Sequence, residues 1–204
     1  VGYGYHSDDY SLDGESLCVL SATESFARCD FSTMVQAADD DRSHLSYSDL
    51  MKGEIKDIAN PTATLKKFTG VFRLELTMPS NFMTTAIGSV FIRFSSSVTG
   101  QGGWFYHRLL DDDFNPGNSA TAEARIHLGH LETKYHVSGI EMSAGEKLVV
   151  YVPFIHSSVF RAGGTITVGA YDKDGQLVLT KVMTTSEDKE YKIGLVHNFK
   201  VALQ

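Results

Sequence analysis

Residues 71–78 read Val-Phe-Arg-Leu-Glu-Leu-Thr-Met, and this alternation constrains the fold more than any other stretch of the chain. Phe72, Leu74, Leu76 and Met78 share one face of an extended chain; Val71, Arg73, Glu75 and Thr77 share the other. A period of two predicts a half-buried antiparallel strand, apolar side inward and Arg73/Glu75 side wet. Pro79-Ser80-Asn81 ends it. The same period returns at 89–94 (Val90, Ile92, Phe94), 122–131 (Ala124, Ile126, Leu128), 146–154 (Leu148, Val150, Val152, Phe154) and 165–171 (Ile166, Val168, Ala170). Asp172-Lys173-Asp174-Gly175 is a hairpin turn into 176–183, and 189–203 closes the chain in extended form.

A looser alternation begins at residue 26, and about eight strands are predicted in all. One helix is predicted over 49–59, where Leu50, Met51, Ile55 and Ile58 fall near helical spacing. Ser48 is placed to cap it, Asn60-Pro61 stops it, and Gly53 weakens it. Residues 1–25, rich in Gly, Tyr, Ser and Asp without a sustained period, read as an extended N-terminal arm with a short strand at 17–20. Residues 26–204 are the domain. Short strands separated by turn signals predict an all-β sandwich or barrel; periodicity leaves immunoglobulin, lectin-like and jelly-roll sandwiches open. The predicted core between two sheets is Phe72, Leu74, Leu76, Val90, Ile92, Val150, Val152, Ile166 and Val168.

Composition narrows the function classes. The chain has 204 residues, and 18 Lys and Arg against 25 Asp and Glu give a net charge of −7. A protein that coats nucleic acid by its own charge does not have this balance. The cations are scattered, with Lys52, Lys56, Arg73, Arg93, Arg108 and Arg125 as examples and Lys66-Lys67 as an adjacent pair. Weak RNA contact at most is expected. No apolar run approaches a membrane span, and no secretory leader pattern opens the chain. Cys18 and Cys29 are too few for a disulfide scaffold or a four-thiolate zinc site; they suit two reduced thiols or a single bridge.

The groups that could carry chemistry do not assemble into a catalytic pattern. His127 and His130 are three apart, so on one strand they face opposite ways, and with His136 they read as surface or interface histidines, not a metal site. The triplets 39–41 and 111–113 are all Asp and lack the spaced ligands and Gly of a calcium loop. They read as solvated loops, with a divalent ion held between subunits as the sharper alternative. There is no G-x-S-x-G elbow, no phosphate-cradling G-x-x-x-x-G-K-[ST] loop, and no basic cluster beside either cysteine. No catalytic, cofactor or metal residue is assigned, and no enzyme activity is expected. Trp104, Phe105 and Tyr106 after Gly102-Gly103, together with Phe160, are the candidate interface residues, because aromatic side chains dominate binding hot spots.

Two segments carry a family likeness. Leu65-Lys66-Lys67-Phe68-Thr69-Gly70-Val71-Phe72 leads through an aromatic and a Gly into the long strand, and Val150-Tyr151-Val152-Pro153-Phe154 with Ser157-Ser158 leaves a late strand through Pro-aromatic. With 88–94 between them and 196–201 at the end, the chain resembles capsid proteins of picornavirus-like viruses, among them the small coat proteins of plant comoviruses and fabaviruses. The resemblance implies an eight-stranded antiparallel jelly roll, with one or two short helices, serving as one tile of an icosahedral shell around an RNA genome. It implies other capsid subunits as partners, a host receptor or vector as a further one, no cofactor, and a place in the virion after assembly in the host cytoplasm. The chain opens on Val1, which suits either an arbitrary boundary or a product cut from a precursor, and Gln204 suits a viral cysteine protease that cuts after Gln. The rival reading is a carbohydrate- or ligand-binding β-sandwich using the 100–116 loop.

Overall fold

The computed structural model describes residues 11–12, 15–16, 18–20, 26–30, 34–48, 51–52, 59–62, 64–67, 69–95, 104–108, 114–115, 123–133, 136–154 and 158–204. Eight of the described strands build the sandwich: β1 (Val35–Gln36), β2 (Gly70–Thr77), β3 (Thr85–Phe94), β4 (Glu123–Leu128), β5 (Lys147–Phe154), β6 (Thr165–Asp172), β7 (Leu177–Thr184) and β8 (Val196–Ala202). Sheet one runs in the order β7-β6-β3-β4-β1, with Ile140–Met142 also paired to β3; sheet two runs β5-β2-β8.

The alternation read from β2 is the alternation observed. Phe72, Leu74 and Leu76 are fully buried while Val71, Arg73 and Glu75 are half-buried on the outer face. Every residue predicted for the core is buried: Val90 and Ile92 of β3, Val150 and Val152 of β5, Ile166 and Val168 of β6 join β2 in one cluster between the sheets. Burying an apolar side chain of this size stabilises the fold by about 1.5–3 kcal/mol. At one end the core is aromatic. Phe72 stacks on Phe154 at 4.2 Å, and Tyr191 and Phe199 meet Phe72 edge-on at 5.5 and 5.8 Å. Gly70 makes this possible, since a Cβ there would lie 2.5 Å from the Phe154 ring.

The fold is all-β, a sandwich with several small accessory sheets. Within it, two pairings depart from the antiparallel expectation: β8 runs parallel to β2 (Val196 opposite Val71), and β1 runs parallel to β4 (Val35 opposite His127). The hairpin turn before Gly175 stands as read: Asp172 Oδ1 accepts from the amides of Asp174 and Gln176, and Gly175 takes φ 80°. It returns β7 to the same sheet as β6, so β8 reaches sheet two travelling in the same direction as β2.

The helix predicted over 49–59 is corrected at 51–52; 49–50 lie outside the described residues. Met51–Lys52 pairs as a strand with Lys66–Lys67, and 53–58 lie outside the described residues. Helix spacing without tertiary support is a weak preference, and Gly53 lowers it by about 1 kcal/mol. One helical turn lies instead at Leu45–Ser48. Asp41 forms an Asx turn ahead of it, its Oδ1 accepting from Ser43 N at 3.0 Å and its Oδ2 from Ser43 Oγ at 2.8 Å. In the expected arm, Cys18–Leu20 pairs antiparallel with Phe26–Asp30, setting Cys18 opposite Cys29.

Candidate assembly edge

A two-sheet sandwich has two sides where sheet edges meet solvent, and unpaired edge strands invite a further strand. The two sides of this molecule are treated differently. On the first, β5 is the edge of sheet two. Its odd-numbered residues turn their backbone groups outward, and Val149 and Tyr151 have all four satisfied by the segment 36–44. Asp39 Oδ1 accepts from Val149 N at 2.6 Å. Val149 O accepts from Gln36 Nε2 at 2.7 Å and from Asp40 N at 3.1 Å. Gln36 Oε1 accepts from Tyr151 N at 2.9 Å, and His44 Nε2 lies 2.9 Å from Tyr151 O. The next outward residue is Pro153, which has no N–H to satisfy. Side chains thus do the work of a neighbouring strand. The same segment contributes β1 to sheet one, so it stitches the two sheets together along this side.

Tyr151 anchors the seam. Although it points outward it is buried: Arg42 lies over its ring at 5.0 Å, Arg42 Nε donates to its hydroxyl at 2.9 Å, and the hydroxyl donates to Asp40. The hydroxyl holds the Asp40 carboxyl below its usual range, and the Ser43 amide does the same for Asp41. The 39–41 triplet is therefore a structural loop in which all three carboxylates accept hydrogen bonds. Asp40 takes φ 52°, a strained turn position that these bonds hold.

The second side lies open. β8 is the other edge of sheet two. Its odd-numbered residues bond to β2, with Leu195 O accepting from Val71 N and Leu203 N donating to Thr77 O, both at 3.0 Å. Val196, Asn198, Lys200 and Ala202 therefore turn their backbone groups away from the sheet. Among the described residues no strand pairs with that side. β7, the edge of sheet one, receives Gln204, which exchanges two 3.2 Å hydrogen bonds with Thr180. Val182 is 57% exposed, Val196 55% and Leu195 53%. At the start of β8 a groove of about 280 Å³ is walled by Leu45, Thr69, Val71, Leu195 and Val196. Lys181 sits opposite core residue Val168 on β7, a charge on the inward register that blunts an edge against indiscriminate pairing.

The residues singled out in the sequence fall in different places. Trp104, Phe105 and Tyr106 lie in a strand paired with Phe26–Asp30, in the register Trp104–Asp30, Phe105–Cys29 and Tyr106–Arg28; their side chains are outside the described residues. Phe160 is corrected from a contact to a core residue. It is fully buried, edge-on to Phe94 at 5.3 Å, with Gly164 leaving room for its ring. The strand Ser158–Phe160 pairs with Lys189–Tyr191, which carries it inward. His127 is half-buried on β4, while His130 and His136 are exposed. The 111–113 triplet and most of the 100–116 loop lie outside the described residues. Among the described residues no group of three or more His, Cys, Asp or Glu is arranged to hold a metal.

Gln36 and His44 were missed, and nothing local marks them: a lone Gln and a lone His become legible only once β5 is known to be an edge. Two of the scattered cations also converge. Arg93 and Arg125 share Glu123, with Arg93 Nε at 2.9 Å and Arg125 Nη2 at 2.7 Å, and Arg125 stacks over Tyr171 at 4.6 Å. One carboxylate between two guanidiniums leaves a single positive charge there, too little for a polyanion track. No helix among the described residues is long and apolar enough to cross a membrane. No protein-family model matches the chain, and no curated protein matches it.

Proposed function

We propose that this chain is a structural coat-protein subunit, assembling with copies of itself or with sister capsid proteins into an icosahedral shell around an RNA genome. It acts by forming interfaces and not by chemistry, and its place is the virion, assembled in the host cytoplasm. The observation that carries the reading is the asymmetry of the sandwich: one side is sewn shut by the chain itself, while on the other no strand among the described residues pairs with the outer side of β8, and Val182, Leu195 and Val196 are exposed. A solitary domain gains nothing from exposed apolar edges; a tile that must be covered by a neighbour needs them.

The jelly-roll part of the reading is supported by the path of the chain. β2 lies in sheet two, β3 and β4 in sheet one, β5 in sheet two and β6 in sheet one, with β3 between β4 and β6 and β5 beside β2. That sheet switching belongs to Greek-key sandwiches. The V-P-aromatic segment that resembles capsid proteins is also the segment that ends the sealed edge. In this reading neighbouring subunits cover the open side, and RNA contact is weak.

Sedimentation and negative-stain microscopy of the full chain between pH 5 and 8 test the proposal. Particles, or oligomers of pentamer size that Val182→Lys with Val196→Lys dissolves, are expected. A stable monomer at every pH and concentration, binding members of a glycan array, would overturn it in favour of a ligand-binding sandwich.

A further inference from the structure

The ring of His44 is buried and holds the sealed edge through a single nitrogen. Its Nε2 faces the carbonyl oxygen of Tyr151 at 2.9 Å, and a carbonyl only accepts, so Nε2 carries the hydrogen. In the neutral ring Nδ1 is then a bare acceptor, and it is buried without a partner. We propose that His44 is an acid-sensitive latch: a proton added at Nδ1 opens the 36–44 clasp and uncovers the outer edge of β5.

The geometry supplies the reason. An imidazolium has two N–H donors, and this site offers an acceptor to one of them. The second would be buried, charged and unpaired, which a folded interior does not tolerate without rearrangement. The groups that could rescue it are already engaged. Asp41, the carboxylate that draws a proton toward His44, accepts from Ser43 N and Ser43 Oγ. Asp39 takes Val149 N, and Asp40 takes the Tyr151 hydroxyl. From β5 the ring meets the Tyr151 backbone, and the guanidinium of Arg42 is engaged with the Tyr151 hydroxyl. Burial outweighs Asp41 and the Tyr151 carbonyl, pushing His44 below its ordinary value of 6.5.

The sign follows. A group whose closed-state pKa is depressed is protonated more readily once the clasp is open. The closed form therefore keeps its full stability above pH 6.5 and loses it as pH falls toward the lowered value. At pH 5 the opening equilibrium rises by up to about 30-fold over pH 7.5, the limit set by a free histidine near 6.5. Because Gln36 belongs both to β1 and to the clasp, release of His44 loosens the β1–β4 pairing as well as the β5 edge. The latch does not rest on the coat-protein reading and is measured on dispersed chains.

Amide hydrogen exchange of the full chain at pH 7.5 and 5.0, expressed as protection factors, tests it. Protection at Tyr151 and Val149 is expected to fall by up to about 30-fold on acidification, while Val150 and Val152, bonded to β2, hold theirs. His44→Gln keeps an N–H for the Tyr151 carbonyl and does not titrate, so the fall should vanish in that variant. An equal fall in H44Q, or none in the wild-type chain, overturns the latch. Should H44Q fail to fold, the NMR titration of the His44 ring in the wild-type chain decides: titration below 6.5 supports the latch, and titration at or above it refutes it.

Discussion

The edge strands β5 and β8 flank the same central strand, β2, and meet solvent in opposite ways. β5 spends Gln36, Asp39, Asp40 and His44 on its outward backbone groups and ends in a proline. β8 has no strand paired with its outward groups among the described residues and exposes Val196 beside them. An edge can be retired by side chains from a distant segment as well as by a neighbouring strand. The sealed side holds the two sheets together through the segment 36–44.

The largest effect is expected where both edges depend on the same core. Leu74→Ala removes a fully buried side chain from β2 and should cost about 2–5 kcal/mol in urea unfolding. A cost below 1 kcal/mol would mean that β2 is not the common support.

Gln36→Ala tests the sealed side. It orphans Tyr151 N, while Val149 O keeps the Asp40 amide, so the loss should be roughly 1–3 kcal/mol. Removing Gln204 on the open side breaks the two bonds to Thr180 where water can replace them, and should cost less than about 1 kcal/mol. Equal costs would erase the distinction between the two sides.

Acid should act on the sealed side in two stages. The Asp40 and Asp41 carboxyls are held below 3.8, so their contribution is present above that value and is lost as pH falls through the lowered ones. Asp41→Asn should therefore flatten the fall in melting temperature below pH 4 and, by removing the carboxylate that draws a proton toward His44, move the His44 stage to lower pH. In alkali the sensitive group lies in the core between the sheets: burial pushes Tyr191 up to about 12. Its contribution is intact below pH 10 and fades as pH rises toward 12, and absorbance at 295 nm should show one tyrosine ionising late. The smallest stability effect belongs to Val196→Lys, within about 0.5 kcal/mol on an exposed surface, but with a loss of self-association.

Much of the sandwich was legible because period-two patterning is a local property that burial enforces. The alternation of β2 and β4, the 172–175 turn and the whole predicted core reappear in the structure, while β3 is buried on both faces. Three features were not legible. The parallel seating of β8 depends on β7 folding back into sheet one, a topological fact that the extended pattern at 189–203 does not encode. Phe160 looks like a surface aromatic until Ser158–Phe160 pairs with Lys189–Tyr191 and turns the ring onto Phe94. At 51–52 the expected helix yields to the pairing of Met51–Lys52 with Lys66–Lys67, because spacing alone cannot weigh a helix against a distant strand partner.

By itself, then, the amino-acid sequence determined an all-β domain, which residues face its core, and the absence of a charge balance suited to coating nucleic acid. Each of those follows from nearest-neighbour alternation or from a sum over residues. The tertiary structure alone decided which edge is sealed and which is open. That choice rests on hydrogen bonds between residues more than a hundred positions apart, Gln36 with Tyr151 and His44 with Tyr151, and on the direction in which β8 arrives. A side chain can serve as a strand's missing neighbour only where the folded backbone brings the two together.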